Sequence, residues 1–258
     1  MTSKLRLLVV LLAIAIDPSS VNAQITSNEL AGLVPRNIGP ATMSGRVVDL
    51  AVVNMDPRVF YLASATGGVW KTTDNGVRFA PVFQNEATHS VGDVVVHQRD
   101  TSVVWVGTGE RASRQSSSWG DGVYKSTDGG QTWRNMGLRD SRHIGRIILH
   151  PDDPNIVFVA AMGHLWGPNE ERGLYKSTDG GENWDRVLWV DELTGAVDVA
   201  LDPKAPGVMY AAMYQRQRRP WGFHGGGPVA GSTRAWTAAI PGPSSPTAGS
   251  TTDCRPGT

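Results

Sequence analysis

The fold of this chain is decided by Ser126-Thr127-Asp128-Gly129-Gly130-Gln131-Thr132-Trp133, which we call box 2. The same pattern, Ser/Thr-x-Asp-x-Gly-x-x-Trp/Phe, occurs in two further stretches. Box 1 is Thr72-Thr73-Asp74-Asn75-Gly76-Val77-Arg78-Phe79, and box 3 is Ser177-Thr178-Asp179-Gly180-Gly181-Glu182-Asn183-Trp184. The aspartates stand at positions 74, 128 and 179, so they lie 54 and then 51 residues apart. Self-similarity at a nearly fixed period indicates that one supersecondary unit is repeated along the chain.

Each box predicts a tight turn between two strands. Asp-Gly and Asn-Gly favour the positive φ of such a turn. A hydroxyl and a carboxylate next to it can bond nearby backbone N–H groups, and we expect the aromatic residue to tuck under the turn. We assign this structural role, rather than a catalytic one, to Thr72, Asp74, Gly76, Phe79, Ser126, Asp128, Gly130, Trp133, Ser177, Asp179, Gly181 and Trp184.

A unit of four short strands surrounds each box. An apolar first strand, a polar turn and a second strand precede a third strand that runs into the box, and a fourth strand leaves it. We predict first strands at 45–52, 91–96, 144–149 and 196–201, second strands at 59–65, 103–107, 156–161 and 208–213, and third strands at 68–71, 122–125 and 173–176. A β-helix or a β-sandwich would also give short strands, but neither explains the four-strand period. We therefore predict an all-β chain, an incomplete β-propeller of about three and a half four-stranded blades.

Further stretches carry a resemblance to a known family. They are Ile38-Gly39-Pro40, Gly67-Gly68-Val69-Trp70-Lys71, Ser116-Ser117-Ser118-Trp119-Gly120-Asp121-Gly122-Val123-Tyr124-Lys125, Gly163-His164-Leu165-Trp166-Gly167-Pro168 and Arg218-Arg219-Pro220-Trp221-Gly222-Phe223. With the boxes, they make the chain resemble the secreted bacterial Asp-box (neuraminidase-repeat) β-propellers of the sortilin-like kind, many of which are labelled glycosyl hydrolases. The resemblance covers residues 35 to 230 and implies a longer propeller, of which this chain is a truncated part.

The N-terminus predicts export. Lys4 and Arg6 precede an apolar run from residue 7 to residue 16, and Val21-Asn22-Ala23 offers small residues before a cleavage point, so residues 1–23 read as a signal peptide. The apolar run is too short to span a bilayer. We therefore expect a secreted or periplasmic protein with no membrane span after the signal is removed.

Composition limits the partners. Lys and Arg together number 24, as do Asp and Glu, so net charge gives no indication of a nucleic-acid or anionic-membrane partner. Cys254 is the single cysteine, which excludes an intrachain disulfide. The histidines show no metal-ligand spacing, and Gly225-Gly226-Gly227 lacks the lysine and helix of a phosphate-binding loop, so we expect neither a metal nor a cofactor.

The last 28 residues, 231–258, do not continue the repeat. They are rich in Ala, Pro, Ser, Thr and Gly without a strand pattern, which is typical of a linker or a disordered terminus. A shifted reading frame, however, could continue the repeat. Each codon of that frame consists of the last base of one residue's codon and the first two bases of the next. From residue 231 onward this frame permits Val-Tyr-Lys-Ser-Met-Asp-Gly-Gly-Asp-Thr-Trp-Thr-Lys-Leu, and the first Asp is the only residue that Trp236-Thr237 allows, since the Trp codon ends in G and Thr codons begin with AC. We interpret 24–230 as a partial propeller and 231–258 as an out-of-frame, disordered tail, and we expect the fragment to be non-functional alone. Resequencing the gene across codons 228–231 tests this.

Candidate functional residues lie on the face opposite the boxes. Three of the loops between second and third strands carry one Trp-Gly pair each, with charged neighbours, and flat aromatic rings beside carboxylates and guanidinium groups suit a sugar or a peptide. The alternative is that these tryptophans pack the loops against each other. The candidates are Glu110, Arg111, Trp119, Asp121, Trp166, Glu171, Arg172, Asp191, Arg218, Arg219 and Trp221.

Two functions fit this face. The first is an extracellular binding or scaffold module for peptide or glycan, in which the remaining blades of the parent protein are missing. The alternative is a glycoside hydrolase, which needs two carboxylates flanking the scissile bond. The candidates are Glu110, Asp121, Glu170, Glu171 and Asp191, with the catalytic pair unknown. A sialidase is disfavoured, because its arginines come from separate blades, whereas Arg216, Arg218 and Arg219 share one predicted loop.

Overall fold

A computed structural model describes residue 32, residues 45–202 and 208–227, and the backbone of residues 233–237. Apart from residue 32, these residues belong to one structural unit, Gly39–Thr258. The predicted signal peptide, residues 1–23, and most of the predicted tail lie outside the described residues. Within the described part of the chain, no helix has the length and apolar character needed to cross a membrane.

Four antiparallel sheets of four strands, which we call blades A to D, account for the strands of the described chain. Blade A contains β1 Val47–Val52, β2 Phe60–Ser64, β3 Gly68–Thr72 and β4 Ala80–Pro81. Blade B contains β5 Val91–Val96, β6 Val104–Thr108, β7 Val123–Ser126 and β8 Arg134–Asn135. Blade C contains β9 Ile144–Leu149, β10 Val157–Ala161, β11 Gly173–Ser177 and β12 Asp185–Leu188. Blade D contains β13 Thr194–Leu201, β14 Val208–Arg219, β15 Gly222–Gly226 and β16 Thr233–Thr237.

Blades A to C follow the up-and-down order predicted from the repeat. In each, strands pair in sequence order, and the box lies between the third and the fourth strand. The first strands of successive blades pack side by side, as inner strands around a propeller axis do. Among the described strands, none of blade A pairs with one of blade D. The prediction of an all-β, incomplete propeller is confirmed.

The hydrophobic core is divided among the three blade junctions. One cluster, which includes Tyr61 and Val94, lies between blades A and B. A second contains Trp105 and Ile147 between blades B and C, and a third contains residues of blades C and D, among them Phe158. Each fully buried side chain of this size contributes about 1.5–3 kcal/mol. Most apolar burial in this chain therefore comes from blade stacking.

Blade D departs from the pattern. Its second strand, β14, runs on to Arg219, well beyond the predicted end at residue 213. The extension pairs with β15, so Arg216, Arg218 and Arg219 lie on a strand of a hairpin. The prediction that these three arginines share a loop is wrong. The first half of β14 pairs with β16, for example Tyr210 with Ala235. The sequence after residue 231 carries no strand pattern, yet β16 occupies the third-strand position of the blade.

The boxes form their turns through hydrogen bonds from two side chains. In box 2 the Ser126 hydroxyl donates to Asp128 Oδ1 at 2.7 Å and accepts the Gly130 N–H at 2.8 Å. Asp128 Oδ1 also accepts the N–H groups of Gln131 and Thr132, each at 2.9 Å. These bonds lower the pKa of Asp128 to about 2, with the Thr132 contacts the largest cause. The corresponding bonds within boxes 1 and 3 likewise lower the pKa of Asp74 and of Asp179.

The two central residues of each turn have positive φ, as the Asn-Gly and Gly-Gly pairs predict. Gly129 and Gly130 have φ of 69° and 88°, and Gly180 and Gly181 have φ of 73° and 96°. The box aromatics lie against their own turns, as expected: a Cβ at Gly76 would be 3.7 Å from Phe79, and one at Gly130 would be 3.4 Å from Trp133. Trp133 also makes a contact that was not expected, because its Nε1 donates to the Val82 carbonyl at 2.6 Å and so bonds blade B to the preceding blade.

Candidate functional site

The candidate site lies at the end of the blades opposite the boxes, which we call the loop face. It comprises the connections between second and third strands and those between successive blades. Because adjacent strands run antiparallel, the end of a second strand and the end of a third strand point to opposite faces. The loop face and the boxes are therefore separated by the length of the strands.

The tryptophans of the three Trp-Gly pairs are exposed, as is Trp189 in the connection between blades C and D. The exposed fractions are 58% for Trp119, 36% for Trp166, 49% for Trp189 and 79% for Trp221, whereas Trp105 in the core is fully buried. Two rings of the Trp-Gly pairs have a guanidinium group over one face: Arg142 lies 5.4 Å from the Trp119 centroid, and Arg219 lies 5.9 Å from that of Trp221. Aromatic surface held beside cations is suited to stacking against a planar or ring-shaped ligand.

The loops that carry these tryptophans also contact each other. Arg216 Nη1 donates to the Arg111 carbonyl at 2.9 Å, which connects blade D to the loop of blade B. The guanidinium of Arg218 donates to the Ser113 carbonyl of that loop, and its backbone N–H donates to the Leu165 carbonyl of blade C at 2.8 Å. The loops interlock through arginines and backbone carbonyls, while the tryptophan rings remain outside these contacts.

Arg172, one of the predicted ligand contacts, is fully buried. Its Nε donates to the Glu192 carbonyl at 2.7 Å, and its Nη2 donates to the carbonyls of His164 at 2.5 Å and Gly167 at 3.2 Å. Its Nη1 donates to the Met162 carbonyl. Burial lowers the pKa of Arg172 to about 10. Arg172 thus positions the loop that carries Trp166, and its guanidinium is not presented to a ligand.

Glu110 is also buried, with 2% of its surface exposed, and its carboxylate forms an ion pair with Arg46. Asp191 accepts the N–H groups of Leu193 and Thr194 at 2.9 and 2.6 Å, and so shapes the start of β13. Both carboxylates are therefore engaged by protein groups, and neither is positioned to act as a catalytic acid or base.

Two candidate carboxylates remain closer to the surface. Asp121 accepts Arg139 Nη1 at 2.6 Å and the Tyr124 hydroxyl at 2.8 Å, in a half-buried position beside the loop of Trp119. Glu171 accepts the Tyr175 hydroxyl at 3.2 Å. They belong to different blades, B and C, and each is held by a tyrosine of the third strand.

A charged cluster at the propeller axis was missed in the sequence analysis. Asp49, Asp93, Arg146 and Asp198 occupy one register position of the four first strands, each opposite a small residue of the second strand. Arg146 lies 3.1 Å from Asp93, 3.2 Å from Asp198 and 3.6 Å from Asp49. Aligning the four first strands would have revealed this position, since it holds three aspartates and one arginine.

Asp93 connects the first strands of blades B and C. Its Oδ2 accepts the Ile147 N–H of blade C at 2.7 Å, and Arg111 of the blade B loop lies 4.0 Å from its Oδ1. Burial raises the pKa of Asp93 well above its usual value, and the Arg146 charge opposes that shift. Arg111, predicted to face a ligand, instead reaches this axis: it donates to the carbonyls of Val48 at 2.6 Å and Gly145 at 3.1 Å.

Arg216 and His143 form a second buried group that the sequence analysis did not assign. Arg216 is 1% exposed, and neither its Nε nor its Nη2 has a hydrogen-bond partner among the described residues. His143 bonds the Glu110 carbonyl through Nδ1 at 2.9 Å. Burial, and then the nearby charge of Arg216, hold the His143 pKa well below its usual value. The interior beneath the loop face therefore carries excess positive charge.

Residues 67–192 match the family model described as "Sortilin, neurotensin receptor 3". Over these residues the chain is therefore similar to sortilin-like β-propellers. A crystal structure of an ancestral GH74 enzyme is similar in fold, with a TM-score of 0.54 and 21% identity over 69% of this chain and 24% of that one.

Two curated relatives share sequence with this chain. The chain is 26% identical over 60% of its length to a probable oligoxyloglucan-reducing end-specific xyloglucanase of Neosartorya fischeri. It is 30% identical over 40% of its length to the xyloglucanase Xgh74A of Acetivibrio thermocellus. The chain spans 18% and 14% of the lengths of these two relatives.

Proposed function

We propose that this chain forms part of an extracellular β-propeller that binds a glycan through Trp119, Trp166 and Trp221. The observation that carries the proposal is the exposure of all three rings on one face, although the loops beneath them are fixed by buried arginines. Because a rigid aromatic platform loses little conformational entropy on binding, it suits a sugar ring. Two xyloglucanases among the curated relatives support a glycan over a peptide.

The experiment measures binding of xyloglucan oligosaccharides, a glycan array and a peptide library to the purified chain. We expect saturable glycan binding, an outcome that would replace the sequence-based expectation that the fragment is non-functional alone. Binding should weaken about 3- to 10-fold in Trp119→Ala and in Trp221→Ala, since one aromatic stacking contact is worth about 0.5–1.5 kcal/mol. Met55→Ala is the matched control, because Met55 is exposed on the opposite face. Unchanged glycan binding in both tryptophan variants contradicts the proposal, and saturable peptide binding alone would favour a peptide ligand.

The second candidate is a glycoside hydrolase that uses carboxylates of the loop face. The similarity to xyloglucanases supports it, as do the positions of Asp121 and Glu171 on neighbouring blades. Hydrolysis of xyloglucan, measured as new reducing ends, tests this reading. Turnover that is abolished in Asp121→Asn while oligosaccharide binding persists would establish catalysis. Binding without turnover in the unsubstituted chain would leave the binding module as the function.

A further inference from the structure

Blades A, B and C each present an aromatic ring and a lysine on paired positions of the second and third strands. The pairs are Tyr61 with Lys71, Trp105 with Lys125, and Phe158 with Lys176. The lysine Nζ lies 5.2, 5.2 and 5.7 Å from the centroid of the respective ring. We call these three sets the aromatic–lysine pairs.

The pair of blade A holds the box of blade B. The Gly129 carbonyl accepts hydrogen bonds from Lys71 Nζ and the Tyr61 hydroxyl, both at 2.9 Å. The Gly129 N–H donates to the Ser102 carbonyl of its own blade at 2.8 Å. The peptide groups of this turn are thus bound on one side by their own blade and on the other by the preceding blade.

The pair of blade B holds the box of blade C in the same way. Lys125 Nζ donates to the Gly180 carbonyl at 3.0 Å, and Gly181 lies against the Trp105 ring. The tryptophan of the box repeats its contact too, because Trp184 Nε1 donates to the Met136 carbonyl at 2.7 Å. Two independent copies of one arrangement define what such a site accepts: a Gly-Gly turn followed by a tryptophan.

The pair of blade C is not engaged by a box among the described residues. Phe158 is buried in the junction with blade D. Within the described chain, Lys176 contacts the Phe158 ring, and no hydrogen bond of its ammonium is seen. The turn that would bond it should follow β16, the third strand of blade D, but the chain there reads Ala238-Ala239-Ile240-Pro241 and carries no box.

We propose that Phe158 and Lys176 form a docking site for a fourth box, a Ser/Thr-x-Asp-Gly-Gly-x-x-Trp turn. The fourteen-residue phrase read one frame earlier from residue 231 supplies such a turn directly after a third strand. Its glycine carbonyl accepts from Lys176, and its tryptophan N–H donates to the carbonyl of Val187. Val187 stands three residues after Trp184, as Met136 stands three residues after Trp133. This inference is independent of the proposed function.

The test replaces residues 231–244 by Val-Tyr-Lys-Ser-Met-Asp-Gly-Gly-Asp-Thr-Trp-Thr-Lys-Leu and measures thermal unfolding of both chains. We expect the replaced chain to unfold about 2–4 °C higher or more, because it gains a docked turn in a chain of this size. Lys176→Met should abolish most of that rise in the replaced chain and leave the Tm of the parent chain nearly unchanged. Lys125→Met is the matched control and should lower Tm equally in both chains.

A second measurement does not depend on the replaced chain folding. The same fourteen-residue peptide, labelled with fluorescein, is added to the parent chain and its anisotropy is followed. Saturable binding that is lost in Lys176→Met, and in a peptide whose two glycines are alanines, supports the docking site. No binding together with no Tm rise on replacement overturns it, as does a Tm rise that Lys176→Met leaves intact.

Discussion

Gly181→Ala should destabilise the chain much more than the equivalent change in box 2, Gly130→Ala. Both glycines have positive φ, 96° and 88°, so both substitutions incur about 1–2 kcal/mol of backbone strain. Their surroundings differ. A Cβ at Gly181 would lie well inside 3.0 Å of Trp105 Cη2, whereas the nearest atoms to a Cβ at Gly130 are at 3.4 Å, on Trp133 and Tyr61. Trp105 is fully buried and cannot move aside.

The clash adds the cost of overpacking a core, about 1–3 kcal/mol. We therefore expect a loss of about 2–5 kcal/mol for Gly181→Ala and about 1–2 kcal/mol for Gly130→Ala. Urea unfolding of the two variants, followed by circular dichroism, gives both values from the midpoint and the slope. Trp105→Phe shortens the ring, so the double variant with Gly181→Ala should lose less than the sum of the single changes. Equal losses in the two glycine variants, or strict additivity in the double variant, would refute the reasoning.

Three further predictions concern charged groups. Asp128→Asn should reduce the loss of stability that acid causes. The folded pKa of Asp128, about 2, lies below the unfolded value, so the carboxylate stabilises the fold above about pH 4 and this contribution falls toward pH 2. Tm measured from pH 2 to 6 checks this, and an unchanged pH profile contradicts it. Arg172→Met should cost about 3 kcal/mol or more, since several buried carbonyls lose their donor, and limited proteolysis should then cut near Trp166; full protection would oppose this role. Arg146→Met should destabilise by about 3 kcal/mol at neutral pH, because buried Asp93 loses its nearest cation and keeps only Arg111 at 4.0 Å. The loss should be smaller in acid, where Asp93 is protonated, and a loss independent of pH would count against this role.

The sequence predicted the strands well because the repeat gives four copies of the first and second strands and three copies of the third strand and the box. Boxes with Asp-Gly or Asn-Gly specify their turns locally, so β3, β7 and β11 end where the motif begins. The contacts between blades were not predictable in this way. The hydrogen bond from Trp133 to Val82 of the preceding blade depends on how the blades stack. The two residues are far apart in the sequence, and no sequence pattern relates one to the other.

The candidate site was predicted in part. Trp119, Trp166 and Trp221 are exposed on one face, as the Trp-Gly pairs suggested. Arg111, Arg172 and Glu110 are instead bound to backbone carbonyls or to a partner charge. The sequence does not show whether a charged loop residue faces solvent or is buried beneath the loop. Burial depends on the tertiary packing of the loop, which the local sequence does not specify.

The two-sided bonding of the box turns has a consequence for how this molecule unfolds. The Gly129 N–H is bound within its own blade and the Gly129 carbonyl by the blade before it, so the bonding of the box turns passes between nearest neighbours. Such arrays behave as one-dimensional Ising systems, in which the end units have one interface and the inner units two. Amide hydrogen exchange should therefore be fastest in blades A and D and slowest in blades B and C, with opening that starts at either end and travels inward.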